Sequence, residues 1–259
     1  MERLWGFIRM RSFVYSPAVL QNNAWDFDGS TTYLSKSSNL ASIASSKVGF
    51  LSFFVRFPVT TGGVLFSPNY NVGGVSNLIS IGNLVTGAKP ITMALQNSSG
   101  NSWVFTSSAT VTYNLWYHVM ASWDTNYAAG SKVGYIYVND TGGAVTTTSD
   151  LMSNSEVYWS GVNNWAIGSD ANYTTLLPCC LGQFFFAPGQ TLDITNSTNR
   201  RKFSNSSFHP IYTGRRGEVP TGTSPSIYLT SSTSNIGYNS GTGGNFTPNG
   251  TFADCSSTP

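Results

Sequence analysis

From Leu115 to Asp140 the chain reads LWYHVMASWDTNYAAGSKVGYIYVND, and its first half alternates with a period of two. Tyr117, Val119, Ala121 and Trp123 fall on one side of an extended chain, and Trp116, His118, Met120 and Ser122 on the other, which predicts a strand over Trp116 to Trp123. Lys132 to Val138 is again β-branched and aromatic. The intervening DTNYAAGS consists of turn formers, so the stretch predicts a hairpin with a long loop.

The same pattern recurs along the chain. From Ala24, WDFDGSTTYL predicts a strand, an Asp-Gly turn at Asp28 and Gly29, and a second short strand ending near Leu34. Val48 to Val59, VGFLSFFVRFPV, is apolar on both faces and predicts a central strand covered on both sides and ended by Pro58. Shorter strands are predicted at Gly62 to Ser67, Leu78 to Leu84, Ile91 to Gln96 and Trp103 to Phe105. Further ones follow at Glu156 to Gly168, Leu181 to Ala187 and Ile227 to Leu229. A strand about every dozen residues is the spacing of an all-β sandwich. Only LDITNSTNRRKFSN reads as helical, with Asp193 or Thr195 as cap and Arg200, Arg201 and Lys202 as a solvated face.

Composition agrees with short strands and many turns: charged residues make up 9% of the chain, aromatics 14%, and Gly, Ser, Thr and Asn are abundant. A net charge of +2 without a concentrated basic face argues against a nucleic-acid partner. The N-terminal MERLWGFIRMRSF is interrupted by Arg3, Arg9 and Arg11, so it predicts neither a signal peptide nor a membrane span. Its Leu4, Trp5, Phe7 and Ile8 suit an arm over residues 1 to 23 that docks on neighbouring subunits or on its own domain. Residues 24 to 230 form the predicted sandwich. Residues 231 to 259 are a Gly-, Ser- and Asn-rich tail, flexible by composition and expected to be held by the sandwich or by neighbours. Cys179, Cys180 and Cys255 are an odd number with no metal-ligand spacing, and are expected as reduced thiols.

WYHVMASWD followed by KVGYIYVND resembles the paired strands of laminin-G-like, concanavalin A-like jelly rolls. FDGSTTYL, WAIGSD, LGQFFFAPGQ, NRRKF and the SGTGGNFTPNGTFAD tail are together similar to the version of that domain found in structural proteins of tailed bacteriophages and prophages. The resemblance runs from about Ala24 to the C-terminus. It implies an all-β, two-sheet antiparallel jelly-roll sandwich with a concave face available for a ligand. It also implies a non-enzymatic virion protein on the particle exterior, in the tail and adsorption apparatus or as a capsid decoration. Its partners would be other virion proteins, copies of itself and a host-surface polysaccharide. The alternative is a free lectin-like carbohydrate-binding module.

Candidate chemistry is sparse. A glycan hydrolase needs two facing carboxyl groups, yet the chain holds three glutamates, Glu2, Glu156 and Glu218, none with a carboxylate two residues away. Asp26 and Asp28 are so spaced, but Asp28 in an Asp-Gly turn is read as a turn former. His118, inside a strand, is read as a half-buried packing residue rather than a base. No cofactor is expected apart from calcium, which laminin-G-like domains hold at a rim loop. The resemblance would place it at Asp124 and Asp170. For glycan contact, Trp103, Trp159 and Trp165 lie beside Asn and Ser, although a β core draws on the same rings.

Overall fold

The computed structural model describes residues 24–68, 78–82, 87–230, 235–256 and 259. The N-terminal arm, with Leu4, Trp5, Phe7 and Ile8, lies outside the described residues. Among those described, two antiparallel sheets of eight strands each pack face to face.

In chain order the strands are β1 (Trp25–Phe27), β2 (Tyr33–Lys36), β3 (Val48–Arg56), β4 (Gly63–Pro68), β5 (Leu78–Ile81), β6 (Lys89–Gln96), β7 (Ser102–Val111), β8 (Trp116–Asp124) and β9 (Val133–Val138). They continue as β10 (Thr141–Ala144), β11 (Thr146–Asp150), β12 (Trp165–Ile167), β13 (Cys179–Pro188), β14 (Ile227–Leu229), β15 (Thr247–Asn249) and β16 (Ala253–Asp254). One sheet runs β10-β9-β8-β3-β13-β1-β16, with β14 also paired to β13. The other runs β11-β7-β6-β5-β4-β12-β2-β15.

The hairpin predicted around the long loop is β8 and β9, in register from Val119 opposite Val138 to Asp124 opposite Val133. The VGFLSFFVR stretch is β3, central in its sheet between β8 and β13. Its alternate faces explain why it is apolar throughout. Leu51, Phe53 and Val55 join the core between the sheets, together with Val119, Ala121 and Trp123 of β8. Phe50 instead enters a second, smaller cluster on the outer face with Met120, Phe185, Ile194, Phe203 and Tyr228. That outer cluster is the reason residues 189 to 226, which hold almost no regular structure, stay against the sheet.

Several expectations are corrected. The strands on either side of the Asp28 turn do not pair with each other: β1 belongs to one sheet and β2 to the other, so the turn is a corner between layers. Asp28 forms that corner by accepting bonds from the backbone of Ser30, Thr31 and Thr32 and from the Thr31 hydroxyl. The helix, α1 (Ser197–Arg200), is capped by Asn196, whose side chain accepts from the Thr198 amide. Asp193 is engaged with Thr195 and does not cap it. The basic triplet is not a solvated face: Arg200 is 6% exposed, lies over the Tyr137 ring and binds Asp140, which Arg201 also pairs with. Lys202 donates to the Pro220 carbonyl.

The C-terminal tail adds β15 to β2 and β16 to β1, and so crosses from one sheet to the other. At the opposite side of the sandwich β10 and β11 make the same crossing. The expectation of reduced thiols fails for two of the three cysteines, because Cys180 and Cys255 form a disulfide. The physical reason is strand alternation. Cys179 points into the core and stays a buried free thiol, whereas Cys180 points away from it, where the tail delivers Cys255. No helix among the described residues is long and apolar enough to cross a membrane.

Candidate functional site

A cleft of about 250 Å³ opens on the outer face of the β3-β8-β9 sheet, under the strap formed by residues 190 to 194. Its floor is the start of β3 (Val48, Gly49), the end of β8 (Ser122, Trp123, Asp124) and the start of β9 (Val133, Tyr135); Gln190 to Ile194 form the opposite wall. Gly49 is a requirement of this floor, because a Cβ there would stand 2.2 Å from the Trp123 ring.

The strap is irregular, yet it is fixed at both ends. At its entry Gly189 donates to the Val48 carbonyl at 2.8 Å, and Gln190 bonds to the Ser224 carbonyl and the Thr221 hydroxyl. At its exit Ile194 is buried in the outer cluster, and Arg200 donates to the carbonyls of Ile194 and Thr195 at 2.6 and 3.0 Å. Burying a guanidinium is costly without partners; here Asp140, two carbonyls and the Tyr137 ring supply them.

The lining is largely apolar, with Val48, Trp123, Val133, Leu192 and Ile194, and hydroxyls, a glutamine, two aspartates and the Tyr135 ring are set among them. Ser122, Thr191 and half-buried Tyr135 line it, and among the described residues Asp124 and Asp193 are the only charged ones that do. Asp124 Oδ1 accepts from the backbone and side-chain nitrogens of Asn126. The hydrogen bond from the Thr195 hydroxyl, against the opposing effect of burial and with smaller help from the Thr195 and Asn196 amides and the Arg200 charge, holds the Asp193 carboxyl below the usual carboxylate range.

Of the residues singled out for calcium, Asp124 is in the cleft and Asp170 is not. Burial pushes the Asp170 carboxyl up, but bonds from Thr175, Thr174 and Ser169 outweigh it and hold the group ionised as the brace of its own loop. Among the described residues no group of three or more His, Cys, Asp or Glu side chains is placed to hold a metal ion.

The tryptophans expected to meet a glycan are core residues instead. Trp103, Trp159 and Trp165 are 0%, 2% and 0% exposed. Trp159 stacks on Trp165 with centroids 6.3 Å apart, and Trp103 packs on Phe105 at 4.3 Å. The large inter-sheet space takes these rings, so none offers a face to a sugar.

His118 is more deeply buried than the sequence suggests. It stacks on Phe54 at 4.5 Å, and its Nε2 lies 2.9 Å from the Ser52 hydroxyl. The spacing is that of a nucleophile and base, yet both side chains are buried and neither lines the cleft, so no substrate reaches them. Burial pushes the His118 imidazole down to about 3, which keeps it neutral. Sequence reasoning missed Tyr135, Ser122, Thr191 and the cleft role of Asp193, since no local pattern joins residues about seventy positions apart; only the outer-cluster residue Ile194 hints that the strap lies on the sheet.

No family model matches the chain, and no curated protein does. Among solved structures, a protein of Bacteroides ovatus described as carbohydrate-binding superposes with a TM-score of 0.57 at 13% identity, covering 91% of this chain and 60% of that one. A heptameric SAP-like pentraxin from Limulus polyphemus gives 0.48 at 12% identity over 64% of this chain and 76% of its own. Domains LG4-5 of the mouse laminin alpha1 chain give 0.46 at 13% identity over 67% and 44%. The chain therefore spans 60% or less of two of these three structures. At such identities the likeness concerns the fold alone: an all-β, two-sheet antiparallel jelly-roll sandwich.

Proposed function

We propose that the chain is a non-enzymatic carbohydrate-binding module whose sugar seat is the cleft between the β3-β8-β9 face and the 190 to 194 strap. The observation that carries this is the cleft's make-up: aliphatic and aromatic side chains, Tyr135 among them, with a few hydroxyls and two aspartates around about 250 Å³. Sugars are bound by hydroxyl and carboxylate hydrogen bonds beside an aromatic face, and the volume suits one ring rather than an enclosed oligosaccharide. The Bacteroides ovatus protein that shares the fold is described as carbohydrate-binding, in line with this reading.

Two carboxylates across a cleft also raise glycoside hydrolysis. That chemistry needs one of them protonated near neutral pH. Asp193 is shifted the opposite way, and the carboxyl pushed upward, Asp26, is not part of the cleft. The test is a glycan array followed by titration calorimetry, with Tyr135→Ala and Thr191→Ala as variants and circular dichroism as the fold control. Binding by the parent chain that weakens about tenfold in Tyr135→Ala, or about 1.4 kcal/mol, is expected. Absence of binding across the array, or new reducing ends released from a bound glycan, would overturn the reading.

For the module's setting we propose the exterior of a tailed-phage particle, in the adsorption apparatus or as a capsid accessory, with Leu4, Trp5, Phe7 and Ile8 docking on virion neighbours. The motif series from FDGSTTYL to SGTGGNFTPNGTFAD supports it. Mass spectrometry of purified particles tests it: the chain should co-purify, and a deletion of residues 1 to 16 should not.

A further inference from the structure

We infer that the Cys180–Cys255 disulfide is a redox latch on the last strand: a thiol reductant opens it in the folded protein and frees β16 from β1.

The two sulfurs stand unequally. Cys180 is buried on the outer face of β13, whereas Cys255 in the tail is half-exposed, so an incoming thiolate reaches the Cys255 sulfur. The Arg56 guanidinium lies against both: Nη2 is 3.3 Å from Cys180 Sγ and 3.2 Å from Cys255 Sγ, and Nη1 is held by the Asn114 side chain at 3.0 Å. A cation so placed favours thiolate over thiol, which makes each cysteine a better leaving group. Asp26, opposite Cys180 in the β1–β13 ladder, feels the same guanidinium and offsets part of its charge. Cys179 takes no part. It faces the core, where burial pushes its thiol up and keeps it protonated.

A dithiol balances the exchange. Its first thiolate attacks Cys255 Sγ and forms a mixed disulfide, while the Cys180–Cys255 bond breaks with its electron pair on Cys180 Sγ, beside Arg56. Its second thiolate then displaces Cys255; the dithiol leaves oxidised as a cyclic disulfide, and its two protons pass to the released protein thiolates or to solvent.

Little else holds the segment that opens. β15 stays on β2 through its own ladder and the Asn249–Ser35 bond. Beyond it, residues 251 to 256 are held by the two-residue β16 ladder, the Cys255 amide on the Ala24 carbonyl, the Phe252 ring edge on Phe27 at 5.2 Å and the bond from Arg56 to Ser256. Further on, Pro259 O lies 2.8 Å from His209 Nδ1. Four of the six residues are exposed, and ordering them costs conformational entropy that so few contacts offset poorly, so the cross-link decides whether they stay. Reduction leaves β1 as an unpaired sheet edge on that side. The segment is then free in a thiol-rich compartment and closed in an oxidising one.

The full chain, folded and without denaturant, is treated with glutathione or with dithiothreitol and read by mass spectrometry and hydrogen exchange. A glutathione adduct is expected on Cys255 and on neither Cys180 nor Cys179. After dithiothreitol, exchange at residues 251 to 256 should rise at least about tenfold while β3 and β13 stay protected. Arg56→Met should slow reduction of the folded chain about tenfold, and Arg56→Lys should recover part of the rate. The parent chain's adduct position and exchange stand as a test even if Arg56→Met folds poorly. Reduction only at the rate of global unfolding, an adduct on Cys180, or unchanged exchange at residues 251 to 256 after reduction would overturn the inference.

Discussion

Acid should destabilise this protein through His118 well before its carboxylates respond. The imidazole is buried against Phe54 and Ser52, and burial lowers it from 6.5 to about 3, with the charges of Asp140, Arg201 and Arg200 as smaller, partly cancelling effects. A folded-state value below the unfolded one means that the unfolded chain binds the extra proton. The stability is then present in full above about pH 6.5 and is lost as pH falls toward the folded value. Between pH 7 and pH 5 the loss comes to about 2 kcal/mol for this one group. Asp28 and Asp170, whose carboxyls are held below their usual range, lose their contribution only at lower pH. Urea unfolding at the two pH values, on the parent chain and on His118→Gln, isolates the effect as the difference between the two pH dependences. Glutamine keeps a partner for Ser52 without a titrating ring. Equal losses in both proteins, or an imidazole resonance that titrates near 6.5 in the folded chain, would refute the reasoning.

Trp165→Ala should cost about 3–5 kcal/mol in thermal or denaturant unfolding, the penalty of a large core truncation, and should leave glycan affinity unchanged under conditions where it folds. The Cys180–Cys255 disulfide spans 75 residues, so Cys255→Ser should lower stability by up to about 4 kcal/mol and make the tail the first site of limited proteolysis. Lys132→Met should destabilise by about 3–5 kcal/mol, because Asp150 is left buried without its cation; adding Asp150→Leu should recover much of the loss. Near-parental melting of any of these single variants would show that its placement is wrong.

The parts of the fold visible in the sequence are those where burial writes a period into the chain. β3, β8, β9 and β13 carry alternating or continuous apolar residues because one or both faces are covered. β10 and β11, with sequences TGGA and TTTSD, carry no such signal; they exist because backbone groups at the sheet edges need partners. The same holds for β15 and β16 in the tail, where composition pointed to flexibility and cross-strand pairing with β2 and β1 prevails. The tryptophans mislead for a related reason. Ser102 beside Trp103 and Asn164 beside Trp165 suggest polar surroundings, but neighbours along a strand point to opposite faces and say little about each other's environment. Arg200 reads as solvated because its partners Asp140 and Tyr137 are about sixty positions away. The cleft shares that difficulty: Asp124 of β8 and Asp193 of the strap both line it, and the strap's place on the sheet depends on an outer cluster that no local pattern announces.

The pairing of β1 with β16 places the two ends of the domain side by side, with Trp25 opposite Asp254 and the Cys255 amide 2.8 Å from the Ala24 carbonyl. A sandwich that opens and closes at one seam can be carried within another polypeptide as an inserted cassette, since the host chain need part by only the width of two strands. The same seam makes the order of the strands along the chain negotiable. A circular permutant joined across Ala24 and Cys255 and opened at the exposed Ala128 to Gly130 turn would keep each ladder of both sheets, with the β8-β9 hairpin as its new pair of ends.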